Sequence, residues 1–179
     1  MSGETHGLIC AYRLDGKGSG ASLDWEAIQA FSDMDGFVWV HLDYKAAAAQ
    51  EWLNRNSGLD EISVAALLAE ETRPRCTIVP DGLLLSLRGV NTNPGADPED
   101  MIAIRLWTDG QRIITTRRRR LLFIPDLKTA IDAGQGPCSV SEFMVDLSAR
   151  LIERMAGVID DIDDAVDALE GIGCRVDRE

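Results

Sequence analysis

Two periods of hydrophobic and polar residues run along this chain, and the stretch that follows neither marks its centre. In GFVWVHLD (36–43), Phe37, Trp39 and His41 share one face of an extended segment, and Val38, Val40 and Leu42 share the other. Both faces are largely apolar, which predicts a strand covered on two sides. GLICAYRL (7–14) predicts a first strand, followed by the turn-rich GKGSGAS (16–22). Strands are also predicted at 75–79, 83–90, 101–107 and 112–118. Pro80-Asp81-Gly82 and Asp109-Gly110 separate neighbouring runs, so these four form a meander of mostly antiparallel pairs that shares a sheet with 36–43.

Helical spacing appears at 22–31, with Ser22 or Asp24 available as N-cap, and at 45–56, which Ser57-Gly58 stops. The next helix, 59–71, keeps Ile62, Ala65, Ala66 and Ala69 in register. Pro74 disfavours helical geometry at Arg73, so this helix is expected to end near Thr72 and a strand to begin at Arg75. A helix at 123–134 ends at Gly134. From Ser139 to Glu170 one continuous helix is predicted. Val140, Met144, Leu147, Leu151, Met155, Val158, Ile162, Val166 and Leu169 make a narrow seam, partly exposed and suited to lengthwise packing on another helix. The division expected is a domain over 1–137 and the start of a long helical stalk over 138–179. The closing GIGCRVDRE reads as a chain cut short.

With 179 residues and 45% hydrophobic composition, a sizeable core can form. The formal charge of −12 argues against nucleic acid as a partner, since phosphate backbones are met by clustered Lys and Arg. No apolar run approaches the roughly 20 residues of a membrane span, and the N-terminus lacks a signal peptide's pattern, so the chain as given reads as cytosolic and soluble. Cys10, Cys76, Cys138 and Cys174 are scattered and read as reduced, mostly packing thiols.

Candidate chemistry is sparse. IDDIDDAVDALE sets Asp160, Asp164 and Asp167 on one helix face, and Asp163, Asp167 and Glu170 on an adjacent one. Oxygen ligands a turn apart can hold a divalent cation such as Zn²⁺ or Mg²⁺ weakly, although a solvated acidic face is the plainer account. Glu70 and Glu71 point about 100° apart on a helix, so ion pairs with Arg73 or Arg75 suit them better than acid–base work. Arg117 to Arg120 could meet phosphate or lipid headgroups, but a solvated or salt-bridged strand end is the simpler reading. His41 reads as a hydrogen-bonded core histidine. No nucleophile–base–orienter set is present, and no enzyme is expected.

GFVWVHLDY (36–44), LLAEETRPR (67–75), DGLLLSLRGVNTNPGADPEDMIAIRLW (81–107) and RIITTRRR (112–119) resemble, in order, the cytoplasmic N-terminal domain of CorA-type divalent-cation transporters, and most closely the ZntB-type zinc transporters. The likeness runs from about Gly7 to Glu170. It implies an α/β/α sandwich with a mixed, largely antiparallel sheet, followed by a long helix of a funnel wall. It further implies a homopentamer anchored in the inner membrane by C-terminal helices missing here, with this domain on the cytoplasmic side, and transport of zinc or a related divalent cation. The alternative is a stand-alone soluble module that senses divalent cations or acts as a scaffold.

Overall fold

Strand β3 (Phe37–Asp43) has six consecutive buried residues, and its neighbours explain why. In the computed structural model, which describes residues 6–29, 36–70, 73–97 and 100–176, with side chains beyond Asp160 at 162–164, 166 and 167, β3 sits inside a seven-stranded sheet. The other strands are β1 (Leu8–Leu14), β2 (Gly20–Ser22), β4 (Arg75–Val79), β5 (Gly82–Gly89), β6 (Ile102–Thr108) and β7 (Arg112–Arg117). Their order is β2-β1-β3-β7-β6-β5-β4. β3 runs antiparallel to β1 and parallel to β7, with Val40 opposite Ile114 and His41 opposite Thr115. Every other pairing is antiparallel among the described residues.

The expected meander therefore forms and shares its sheet with 36–43. Its turns are built as their residues require. Gly82 has φ +156°, and a side chain there would collide with the Thr108 carbonyl. At the β6–β7 hairpin, Gly110 takes φ +94° while Asp109 Oδ1 accepts the backbone N–H groups of Gln111 and Arg112.

Helices cover both faces. α2 (Ala47–Arg55) and α3 (Glu61–Leu68) contribute Ala49, Trp52, Leu53, Val64 and Leu67 to one core, with Val38, Val40 and Leu42 of β3. α4 (Ile124–Asp132) and the first turns of α5 (Val140–Val176) contribute Leu127, Ile131, Phe143, Leu147 and Leu151 to the other, with Phe37 and Trp39. Trp39 is held between Tyr12, stacked at 6.1 Å, and Phe143 at 5.0 Å. Each large apolar side chain so buried contributes roughly 2 kcal/mol. The result is the expected α/β/α sandwich running into a long helix.

Local caps set the helix starts. Asp60 accepts the N–H groups of Ile62 and Ser63 and the Ser63 hydroxyl, at 2.8–2.9 Å. Its carboxyl is held below the usual range, chiefly by the Ser63 N–H. Ser139 Oγ accepts the Glu142 N–H, while Glu142 reaches back to the Cys138 N–H, a variant of the capping box that opens α5.

Three expectations need correction. Residues 20–22 form the short edge strand β2, and the helix expected from Ser22 is α1 (Trp25–Gln29), with Asp24 accepting the Ala27 N–H; residues 30 and 31 lie outside the described ones. The 59–71 helix stops at Leu68, because Ala69 turns extended (φ −58°, ψ 130°). Tertiary donors take the carbonyls there: Thr116 Oγ1 donates to Leu67 O at 2.6 Å and Arg105 Nη2 to Glu70 O at 3.0 Å. Finally, the last helix carries a second apolar stripe beside the expected, partly exposed seam. Phe143, Leu147 and Leu151 are buried, with Val140 and Met144 packed beside them. Val145, Ile152, Ile159 and Val166 form a second, exposed stripe at seven-residue spacing, joined by Ile162. α5 is continuous, as expected, and extends past Glu170 to Val176. Of the thiols, Cys10 is buried, whereas Cys76 and Cys138 are exposed.

Candidate functional site

The buried polar groups lie at the middle of the sheet and at its junction with α3. At the first, Trp39 and His41 project from the same face of β3, and Thr115 faces them from β7. Trp39 Nε1 donates to Thr115 Oγ1 at 2.8 Å, and His41 Nδ1 lies 2.8 Å from the same oxygen. Thr115 in turn donates to the Val40 carbonyl at 3.2 Å. One hydroxyl carries one proton, so if it goes to Val40, His41 Nδ1 bears the hydrogen and Nε2 is a bare acceptor. That Nε2 is buried and has no hydrogen-bond partner among the described residues. Burial pulls the imidazole pKa down to about 3, assisted by the positive charge of Arg117. His41 is thus a neutral core histidine, as its sequence context predicts, and among the described residues no acid–base partner bonds it.

At the second position, Arg105 of β6 is only 2% exposed. Its guanidinium lies 4.9 Å from the centroid of the Tyr44 ring and holds the Glu70 carbonyl. Burial depresses its pKa, partly offset by Tyr44. This arrangement answers what LLAEETRPR does: it joins α3 to β4 through a backbone carbonyl that a buried cation fixes. Among the described residues Glu70 makes no ion pair with Arg73 or Arg75, contrary to expectation; its backbone carbonyl is engaged instead, by Arg105. Glu71 and Thr72 lie outside the described residues.

The connector 91–97 and the basic run are tied together. Asn93 Nδ2 donates to Asn91 Oδ1 and to the Arg120 carbonyl, and Arg119 pairs with Asp100 at 2.9 Å. Arg119 is therefore the salt-bridged strand end expected of this run.

Asp160, Asp163, Asp164 and Asp167 are exposed on α5; the side chains of Asp161 and Glu170 lie outside the described ones. Among the described residues no three His, Cys, Asp or Glu side chains converge as metal ligands. No described helix is long and apolar enough to cross a membrane. Sequence reasoning missed Arg105 and Thr115, although a lone Arg and paired Thr inside apolar strands are the signal that marks buried polar anchors.

Comparison with known proteins gives this geometry a context. The profile of the family described as "CorA-like Mg2+ transporter protein" matches residues 34–171. The chain is 39% identical over 171 residues to the divalent cation transporter CmaX of Pseudomonas aeruginosa, covering 94% of this chain and 52% of that protein. It is 32% identical over 164 residues to the zinc transport protein ZntB of Pectobacterium carotovorum, covering 92% and 49%. The structure of full-length CmaX matches with a TM-score of 0.87 at 39% identity, over 96% of this chain and 53% of that one. The cytoplasmic domain of ZntB from Vibrio parahaemolyticus matches with a TM-score of 0.69 at 26% identity, over 90% and 63%. The chain spans about half the length of the curated relatives it matches.

Proposed function

The chain belongs to the CorA-like Mg2+ transporter family, and on that footing we propose that it is the cytoplasmic domain of a divalent-cation transporter of the inner membrane. The observation that carries this reading is the match to full-length CmaX over nearly the whole chain, sandwich and long helix together. The exposed heptad stripe of α5 supports it, since a helix with one face on the sheet and another apolar stripe in solvent is shaped for lengthwise helix contacts. Assembly as a homopentamer, with those contacts in a funnel wall, is part of the proposal. Zinc is the favoured cargo, in keeping with the ZntB relatives, while CmaX carries the broader description of divalent cation transporter.

The test is a chimera in which this chain replaces the corresponding half of CmaX, reconstituted in liposomes beside the chain alone. The chimera is expected to pass divalent cations, with zinc, magnesium, cobalt and nickel compared. The chain alone is expected to pass none, because no described helix is long and apolar enough to cross a bilayer. Flux through the chain alone overturns the reading, as does an assembled chimera that conducts none of the four ions.

Asp160, Asp164 and Asp167 belong to the same proposal as a weak, non-selective divalent-binding face, with like charges a turn apart relieved by cations. Thermal melts with zinc and magnesium should show a small gain that Asp160→Asn/Asp164→Asn/Asp167→Asn abolishes. Tight, zinc-only binding that survives this triple substitution places the site elsewhere.

A further inference from the structure

The chain carries a net charge of −12, yet one concavity gathers the opposite sign. A pocket of about 470 Å³ lies between the end of β7, the segment after it and α4. Arg117, Arg120 and Lys128 line it, against a single carboxylate among the described residues, Asp132. That carboxylate is turned to other use. It lies against the Tyr12 hydroxyl, whose pKa is pushed up to about 12 chiefly by burial and further by the Asp132 charge. Lys128 is half-buried and makes no ion pair among the described residues. The field of Arg117 and Lys128 reaches the sheet beneath: both oppose the burial-driven rise of the Cys10 thiol.

We propose that this pocket binds a small phosphate-bearing molecule of nucleotide size. The Arg120 fork and the Lys128 ammonium suit phosphate oxygens, the fork by paired N–H donors and the ammonium as a point charge, while Arg117 adds positive charge to the wall. The N-terminal turn of α4, represented in the lining by Ile124 and Pro125, adds positive potential from its end of the helix. The volume falls within the roughly 300–1,000 Å³ of small-molecule sites, well beyond what one inorganic phosphate fills. Ile9, Leu121, Ile124 and Pro125 supply an apolar wall for a ring. A divalent cation is the wrong ligand here, because three positive side chains repel it. The site is therefore separate from the cation cargo and does not depend on it. α4 also carries Asp126, paired with Arg154 of α5 at 3.0 Å, so an occupant would lean on the helix that anchors the long one.

The experiment is titration calorimetry of the 179-residue chain with pyrophosphate and with ADP, at matched ionic strength, beside Lys128→Gln and Arg120→Gln/Lys128→Gln. Saturable one-to-one binding of ADP is expected, weakened at least tenfold in the double variant and several-fold in Lys128→Gln. Lys128→Gln removes no ion pair, so its unchanged melting curve separates lost binding from lost fold. Absence of saturable binding to either probe overturns the proposal, and so does undiminished affinity in the folded double variant. Co-sedimentation with phosphatidylglycerol vesicles, without binding of either soluble probe, also overturns it and assigns the basic residues to a lipid surface.

Discussion

His41 Nδ1 and Thr115 Oγ1 lie 2.8 Å apart across the parallel β3–β7 pair, and that oxygen also receives the Trp39 indole N–H. Thr115→Val keeps the shape and strands both nitrogens in a fully buried site. Each orphaned group costs about 1–3 kcal/mol, so a loss of roughly 2–6 kcal/mol is expected in urea melts. A loss below about 0.5 kcal/mol would mean that the three side chains are satisfied some other way.

Acid should act through the same histidine. Its native pKa is about 3, against 6.5 for an ordinary imidazole. The unfolded chain therefore takes up a proton between these values while the folded chain does not. The stabilisation is complete above pH 6.5 and is lost progressively as pH falls toward 3, at up to about 1.4 kcal/mol per pH unit from this group. His41→Phe removes the titration. Stability measured from pH 7 to pH 4 should fall less steeply in the variant, and equal slopes would show that His41 is not the group responsible.

Much of the architecture was legible because turn chemistry is local. Asp109-Gly110 and Pro80-Asp81-Gly82 announce their hairpins within four residues, and the unbroken apolar run of β3 announces a doubly covered strand. The end of α3 was not legible in that way. Pro74 limits how far a helix can run, but it stops six residues earlier, at Leu68, where a β7 hydroxyl claims the Leu67 carbonyl and a β6 guanidinium claims that of Glu70 just beyond. The basic run 117–120 hid its division of labour for the same reason: Arg119 turns to Asp100, while Arg117 and Arg120 line a pocket completed by α4.

Arg105 gives a test of that junction. Lysine retains the charge but not the planar fork that reaches Glu70 O and overlies Tyr44. Among the described residues Nε and Nη1 of Arg105 are buried without hydrogen-bond partners, so an apolar replacement also sheds two desolvated donors. Arg105→Met is therefore expected to cost less than about 1.5 kcal/mol, and Arg105→Lys more, because a buried ammonium lacks a partner. The reverse order in chemical denaturation would show that the charge itself stabilises the junction.

The two stripes of α5 make opposite forecasts on one helix. Leu147 is fully buried, so Leu147→Ala should destabilise by about 2–5 kcal/mol. Ile152 is 63% exposed, so Ile152→Ala should stay within about 0.5 kcal/mol of the parent in the isolated chain. Comparable losses in thermal melts would mean that both stripes are packed in solution.

The parallel pairing at the centre of the sheet has a kinetic consequence. His41 and Thr115 are 74 residues apart, whereas β4 to β7 follow one another through two tight turns and the connector 90–101. Closing the long loop costs entropy before any contact is gained, so the hairpins should nucleate folding and β3 should dock late. Val40→Ala is then expected to act on the unfolding rate and Leu106→Ala on the folding rate. Stopped-flow chevrons that assign both substitutions to unfolding would place the nucleus outside the meander. On this order of events, the strand at the middle of the finished sheet is among the last to arrive, and until it does the apolar sides of β7 and β1 stand open to other chains.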